Sequence, residues 1–349
     1  MGFTDKKAGR AQAANAPAKT DRRGGESAGR MQLVYGDVSL GVKGEGFHYI
    51  FSYQTGGLES LSIHGKEWLY RTPKPTFWRA LTDNDRGCGF QFKSGMWLAA
   101  DMYLACTGIE VAVDGQAIPL PKAPENNRFC AGETAGELTL AFRYEAITVP
   151  KTEVAVTYQV IPSGRIEVTA EYKGQEGLPE LPVFGMRFVM PTKAIGYTYE
   201  GLSGETYPDR KAGAEAGIYQ VEGLPVTPYL CPQDCGVHMD TKWLEIYRDT
   251  VLDNTSAGKE RFSLRIASVG KGFAFSCLPY TAEELENAAH QEELPPARRT
   301  VLCVLGAVRG VGGIDSWGTD IEEPYRIDAQ KDICFSFSIC GGEGAGKEA

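Results

Sequence analysis

Apolar and polar residues alternate with a period of two through nearly every segment of this 349-residue chain from Met31 onward. The alternation is clear in residues 154–160 (VAVTYQV) and 166–172 (IEVTAEY), and the intervening Pro162-Ser-Gly164 predicts a hairpin. Similar segments recur at short spacing with Gly and Pro between them, which leaves no room for the helices of βαβ units. We therefore predict an all-β fold, either a sandwich or a barrel.

Helical patterns are few and short. Thr281-Ala-Glu-Glu284 has the form of a capping box and predicts a helix that ends before Pro295-Pro296. Residues 94–106, which contain several large apolar side chains, predict a second short helix. No linker divides the body, so we predict one large β domain over residues 31–341, followed by a flexible tail over 342–349.

Residues 1–30 form a segment of different composition. This leader holds seven Lys/Arg and three Asp/Glu, a charge of +4 that leaves −13 for the rest of a chain whose net charge is −9. Because it has no hydrophobic run of the kind found in secretory signal peptides, we predict a disordered basic leader. The acidic remainder argues against nucleic acid as a partner. No segment approaches the roughly 20 apolar residues of a membrane span.

The nine cysteines are scattered, and most lie in apolar, strand-like segments. This pattern predicts buried free thiols in a reducing compartment, and hence a cytoplasmic protein. Cys231 and Cys235 have the spacing of a zinc-ligand pair, but only His238 lies nearby and no second pair follows. A structural zinc site is therefore disfavoured.

Residues 310–318 (GVGGIDSWG) form a glycine-rich turn that presents one tryptophan. An indole ring has a large apolar face and one N–H donor, which suits the C–H face and polar rim of a sugar. Taken alone, a tryptophan in such a turn is more often part of a core than of a binding site.

Two other clusters carry polar groups. In residues 77–89 two aspartates flank Asn84, which is compatible either with a rim that binds hydroxyls or a cation, or with an Asx turn. Residues 199–210 include Glu205, an acid candidate by residue type, and the neighbours Asp209 and Arg210, which we expect to form an ion pair. The four histidines are scattered, and a structural or exposed role is favoured for each.

Four segments, taken in order, resemble motifs of one enzyme family. Residues 76–87 (TFWRALTDNDRG) are similar to its FWRAPTDND.G segment, and residues 199–210 (YEGLSGETYPDR) to its YG.GP.ENYPDR segment. Residues 275–285 (FSCLPYTAEEL) resemble FS.SPYT.EEL, and residues 311–318 (VGGIDSWG) resemble GVGGDDSWG. The family is that of the lacZ-type β-galactosidases of glycoside hydrolase family 2, and the resemblance covers their C-terminal domain.

The resemblance implies a large antiparallel β super-sandwich related to the galactose mutarotase fold, with few short helices. It also implies that the chain is the small subunit of a heteromeric β-galactosidase. The catalytic carboxylates would then lie on a large subunit that carries a TIM barrel, with no catalytic residue here. The implied reaction is retaining hydrolysis of terminal β-galactosides such as lactose. No cofactor is implied in this chain, and Mg²⁺ and Na⁺ would belong to the barrel subunit.

Residue by residue, the resemblance implies three substrate-binding positions. Trp317 matches the tryptophan that completes the active site and stacks on the substrate, and Asp315 matches the aspartate just before it. Gly87 matches the glycine that opens a mobile loop beside the active site, here residues 88–91. Glu205 matches a residue without a catalytic role. Ile314 departs from the motif, because the family often has an acidic residue there.

Three alternatives remain open from the sequence. The chain could be a free-standing hexose epimerase with a mutarotase-like fold, although such an enzyme needs His and Glu on one concave face. It could instead be a non-catalytic carbohydrate-binding domain. Finally, its partner could cleave another sugar, such as a β-glucuronide or an α-L-arabinoside.

Overall fold

Antiparallel strands make up most of the structure, a computed structural model that describes residues 6–7, 29–122, 133–252 and 260–342. In chain order the strands are β1 (Lys6–Lys7), β2 (Met31–Tyr35), β3 (Ser39–Gly44), β4 (Phe47–Ser52), β5 (Gly57–Ile63), β6 (Lys66–Glu67), β7 (Arg71–Thr76), β8 (Ala105–Val113), β9 (Gln116–Ile118), β10 (Thr134–Ala135), β11 (Leu138–Ala146), β12 (Thr152–Val160), β13 (Ile166–Tyr172), β14 (Val183–Met190), β15 (Gly196–Leu202), β16 (Ala216–Glu222), β17 (Val237–Thr241), β18 (Trp243–Arg248), β19 (Phe262–Val269), β20 (Phe273–Leu278), β21 (Thr300–Val308) and β22 (Ile333–Gly341).

Within the described residues these strands form three sheets. The largest has the order β1-β16-β15-β18-β19-β22-β13-β12-β11-β8-β9, the second β10-β2-β3-β4-β5-β6, and the third β17-β20-β21-β14-β7. All their strand pairings are antiparallel. The prediction of an all-β super-sandwich with few short helices is confirmed.

The predicted hairpin is formed by β12 and β13. Their register places Val160 opposite Ile166, and Gly164 in the turn has a φ of +80°. Alternate residues of both strands are buried, as the period of two requires when one face of a sheet lies on the core. The main hydrophobic core draws residues from all three sheets, between Met31 and Ile339.

The helices are short: α1 (Asp83–Gly87), α2 (Phe90–Ser94) and α3 (Ala282–Asn287). The capping box predicted at Thr281 and Glu284 is present at the start of α3. Further 3₁₀ turns cover Gly95–Ala99, Gln291–Glu293 and Glu323–Tyr325. No helix among the described residues is long and apolar enough to cross a membrane.

The helix predicted over residues 94–106 is wrong. Residue 94 ends α2, a 3₁₀ turn follows, and β8 already begins at Ala105. The apolar residues of this segment do not share a buried face, because Trp97 is buried while Met96, Leu98 and Met102 are exposed. An apolar composition without a consistent buried face does not maintain a helix.

The predicted terminal segments are only partly described. In the leader, β1 pairs with β16 through Lys6 opposite Gln220 and Lys7 opposite Tyr219. The rest of residues 1–28 and the tail residues 343–349 lie outside the described residues. Eight of the nine cysteines lie within the described residues, and all eight are free thiols. Cys130 lies outside the described residues.

Candidate functional site

The tryptophan turn follows β21 and projects from the surface. Three of its glycines have left-handed backbone conformations, with φ of +70° at Gly312, +77° at Gly313 and +81° at Gly318. Trp317 is 91% exposed, so the interpretation of this residue as part of the core is wrong. Nearly the whole indole is therefore open to a molecule outside the chain.

Asp315 folds the turn around the tryptophan. Its carboxylate accepts hydrogen bonds from the Thr319 hydroxyl (2.6 Å) and from the backbone N–H groups of Trp317 (2.9 Å) and Thr319 (3.3 Å). The hydrogen bond from Thr319 and those from the two N–H groups lower the pKa of Asp315 below its ordinary value. The carboxylate is therefore an anion that positions the backbone on either side of the indole.

The first motif lies directly against this turn. Thr82 and Asp85 form a reciprocal capping box that starts α1. Asn84 on this helix donates its Nδ2–H to the carbonyl of Val311 (2.9 Å). At the end of the helix, Gly87 is in backbone contact with Gly318, since a Cβ on Gly318 would lie 2.6 Å from the Gly87 oxygen. Two of the predicted segments therefore meet at the tryptophan.

The segment that follows Gly87 is shorter than the loop expected from the resemblance. Cys88 caps the end of α1, and Gly89, with a φ of +73°, precedes α2. Phe90 and Gln91 are the first two residues of α2. A two-residue connection between two short helices thus replaces the expected loop over residues 88–91.

The second motif holds the turn from another side. Asp209 accepts hydrogen bonds from the N–H groups of Val311 (3.0 Å) and Gly312 (2.8 Å), and Arg210 donates to the carbonyl of Gly312. The predicted ion pair between Asp209 and Arg210 is wrong, because each side chain binds the backbone of the tryptophan turn instead. Backbone donors and acceptors that the turn cannot pair internally are satisfied in this way.

A buried ionic network lies beneath the turn. Asp85 is 2.9 Å from the guanidinium groups of both Arg79 and Arg309, and all three side chains are almost wholly buried. Arg79 also donates to the carbonyl of Gly310 (3.0 Å). A buried charge is costly without a partner of opposite charge, so the network fixes where β21 ends and where the turn begins.

Arg309 extends this network to the far end of the turn. Its guanidinium stacks 3.9 Å over the ring of Phe90 and pairs with Asp320. Asp320 also binds Lys93 at 3.0 Å. Burial opposes ionisation of Asp320, but the contacts with Lys93 and Arg309 outweigh it and lower its pKa to about 2. The sequence interpretation missed Arg309, although a cation directly after an apolar strand was a signal.

Helix α3, which begins in the third motif and ends just beyond it, supports the first motif from behind. Glu286 on α3 accepts a hydrogen bond from the N–H of Leu81 (2.6 Å) and lies 3.7 Å from Arg86. Through these contacts α3 holds the segment that leads into α1. All four predicted segments therefore converge on the position of Trp317, directly or through one neighbour.

The other candidate residues have structural roles. His238 is buried among aromatic rings, with Nε2 3.0 Å from the Tyr197 hydroxyl and Nδ1 2.8 Å from the Gly204 carbonyl. Burial lowers its pKa to about 4, so the ring is neutral, in agreement with the structural role that we predict. Glu205 accepts a hydrogen bond from Thr227 (2.9 Å). The described residues contain no group of three or more His, Cys, Asp or Glu that could hold a metal ion.

The convergence of four motifs on an exposed tryptophan agrees with a comparison to known families. The family model described as the β-galactosidase small chain matches residues 43–339. The chain belongs to the β-galactosidase small-chain family. All four motifs and nearly the whole of the first and third sheets lie inside the matched region, and so does Trp317.

Individual members of the family differ in length. The β-galactosidase small subunit of Latilactobacillus sakei is 64% identical over 310 residues, which are 89% of this chain and 98% of that protein. The β-galactosidase of Halalkalibacterium halodurans is 35% identical over 317 residues, which are 89% of this chain but 28% of that protein. The β-galactosidase of Streptococcus thermophilus is 32% identical over 311 residues, which are 88% of this chain but 27% of that protein. This chain spans about a quarter of these longer relatives.

Among solved structures, a galactose mutarotase-like protein from Lactobacillus casei aligns with 87% of this chain and 100% of its own length. The TM-score is 0.39 and the identity is 8%.

Proposed function

We propose that this chain is the small subunit of a β-galactosidase and that it carries Trp317 to the active site of a large subunit. The observation that carries the proposal is the exposure of an indole on a turn that the first two motifs bind directly and that α3 supports through the first. An exposed apolar ring on a rigid support is suited to stacking against a sugar once a partner closes the other side of the site.

The charges around the turn favour a catalytic apparatus on the partner. Asp315 is engaged by the turn itself, and Asp85 and Asp320 are bound by arginines. Glycoside hydrolysis requires two carboxyl groups on either side of the scissile bond, one of them able to give up a proton. Carboxylates already committed to hydrogen bonds and ion pairs are poor candidates, so we assign that pair to the large subunit.

The finer assignments follow from the same resemblance. We place the enzyme in glycoside hydrolase family 2, with a TIM barrel on the large subunit and retaining cleavage of terminal β-galactosides such as lactose. Trp317 would stack on the galactose, Asp315 would hold the indole in position, and Gly87 would allow the close approach of α1 to the turn. Any Mg²⁺ or Na⁺ would lie in the barrel subunit. The free thiols support a cytoplasmic location.

Co-expression with the large subunit tests the proposal. Trp317→Ala should lower kcat/KM for lactose by about tenfold or more, because stacking contributes roughly 1 kcal/mol beyond area burial. Leu230→Ala is a matched control, since Leu230 is also an almost fully exposed apolar residue and lies outside the four motifs. Unchanged lactose turnover in the Trp317→Ala complex would exclude the assigned role.

Two further measurements separate the alternatives. Proton NMR of the first-formed galactose should show the β anomer if cleavage proceeds with retention. The isolated chain should neither hydrolyse lactose nor interconvert the anomers of galactose. Anomer interconversion by the chain alone would instead support the epimerase alternative, and tight galactose binding without a partner would support a binding domain.

A further inference from the structure

A large cavity lies away from the tryptophan turn, on the outer side of the five-stranded sheet. Its volume is about 980 Å³, which is at the upper end of the range for small-molecule sites. The walls come from β7, β14, the segment around residues 98–102, α3 with the turn before it, and residues 295–299. None of its lining residues belongs to the turn or to α1.

The floor of the cavity contains a fixed guanidinium group. Arg187 on β14 lies 2.7 Å from Asp101 on one side and 2.7 Å from Glu283 on the other. The Asp101 side chain is 1% exposed, and neither of its oxygens makes a well-aligned hydrogen bond within the described part of the chain. A planar cation between two carboxylates presents an array of donors and acceptors of the kind that binds neighbouring hydroxyl groups.

The cations at the rim are not neutralised in this way. Arg71 and Arg299 both face the ring of Tyr70, at 5.7 and 3.6 Å from its centroid, and neither has a carboxylate partner among the described residues. Arg298 beside them also has none. Three arginines without a carboxylate partner among the described residues therefore line one side of the cavity and are available to an anion.

Lys74 adds a further unpaired cation on the same wall. Its ammonium donates to the carbonyl of Thr55 (2.8 Å) and lies 5.3 Å from the centre of the Tyr144 ring. It is half-buried, and burial lowers its pKa. The three carboxylates of the cavity are already engaged, because Asp101 and Glu283 bind Arg187 and Glu284 caps α3. The cavity therefore carries excess positive charge in a chain whose net charge is −9.

We propose that this cavity binds a monosaccharide that bears an anionic group, either a phosphate or a carboxylate. The anionic group lies against the guanidinium groups of Arg71 and Arg299. The hydroxyl groups of the ligand face Arg187 and Glu283, with Asp101 fixing the guanidinium from behind, and the side chains of Thr72, Thr281 and Asn287 line the same space. The apolar lining residues Leu98, Val189, Pro279 and Val301 accommodate the C–H surface of the sugar ring.

The site is separate from the one assigned to Trp317, so its existence does not depend on the proposed glycosidase function. Calorimetric titration of the full chain with galactose 6-phosphate and with galacturonate tests it, using galactose and inorganic phosphate as references. At least one of the two sugar anions should bind about tenfold or more tightly than either reference, because both halves of the cavity then contribute.

The variants are chosen to locate the binding. Arg71→Gln and Arg299→Gln should each weaken binding of the sugar anion with the higher affinity by about tenfold. This is the effect of losing one charge-assisted hydrogen bond. Arg143→Gln is the matched control, since this exposed arginine pairs with Glu110 on the largest sheet. Trp317→Ala should leave the affinity unchanged. If Arg299→Gln fails to fold, as judged by circular dichroism, Arg298→Gln replaces it.

Three outcomes would overturn the proposal. The first is the absence of binding by both sugar anions. The second is equal affinity for inorganic phosphate, because it would mean that only charge is recognised. The third is binding to the lone chain that disappears in the complex with the large subunit, which would indicate that an acidic segment of the partner occupies the cavity.

Discussion

The α-carbon of Gly318 faces the carbonyl oxygen of Gly87 so closely that a Cβ on Gly318 would lie 2.6 Å from that oxygen. The two residues are more than 200 positions apart in the chain. This approach joins the end of α1 to the residue that follows Trp317. The position of the indole therefore depends on a contact between two backbones, with no side chain between them.

Gly318→Ala should displace Trp317 and lower kcat/KM of the complex for lactose. Gly213→Ala is the matched control: Gly213 has a φ of +83°, close to the +81° of Gly318, but an added Cβ there would meet nothing within 4 Å. Both variants should lose about 1 kcal/mol of unfolding free energy through the left-handed backbone. A large loss of activity is expected only for Gly318→Ala, and equal activities would argue against the contact.

Asp209→Ala should loosen the turn, because the N–H groups of Val311 and Gly312 lose their acceptor. We expect a loss of about 1–3 kcal/mol in unfolding free energy and a fall in kcat/KM. The effect on activity should be strongly non-additive with Trp317→Ala in a double-mutant cycle, since Asp209 acts through the indole. Additive effects on activity would mean that Asp209 contributes in another way.

Asp85→Asn should be among the most destabilising single substitutions in the chain. It removes the carboxylate charge that Arg79 and Arg309 share, and both arginines remain buried. Breaking a buried pair from one side costs about 3–5 kcal/mol, to be measured by denaturant unfolding. Asp114→Asn breaks the exposed pair with Arg30 and should be far less destabilising, because water screens exposed charges. Similar losses for the two variants would contradict the role of the network.

His238 should make the protein less stable as the pH falls. Burial lowers its pKa from 6.5 to about 4, so the unfolded state takes up a proton first and stability is lost between pH 6.5 and 4. The difference in unfolding free energy between the wild type and His238→Gln should shrink by about 3 kcal/mol over that window. Asp101 and Asp234, whose pKa values burial raises to about 6 and about 7, shift stability in the opposite direction in both proteins. A difference independent of pH would show that His238 does not titrate as described.

The alternation of side chains was sufficient to predict the class of the fold and the hairpin of β12 and β13. It works there because every second residue, such as Val154, Val156 and Tyr158, is buried against the core. The same reasoning failed at residues 94–106, where large apolar side chains lie at the surface. Composition alone does not indicate which face of a segment packs against the core.

The sequence predicted less of the candidate site than of the fold. The resemblance identified the segments that meet at Trp317, but it did not reveal which atoms hold the turn. Asp85 and Arg309 are 224 positions apart, and no local pattern predicts such a pairing. We predicted an ion pair between Asp209 and Arg210 because they are adjacent in the sequence. In the structure each side chain instead forms hydrogen bonds with the backbone of the distant turn.

Asn84, Asp209, Arg210 and Arg79 all bind main-chain atoms of residues 310–312. The hydrogen bonds that hold the turn therefore do not depend on which side chains the turn exposes. Substitutions at an exposed position such as Ile314 leave these bonds unchanged, so the exposed side chains can vary while the position of the turn stays fixed. Under the proposed function, substitutions at such positions would change sugar preference without altering the scaffold.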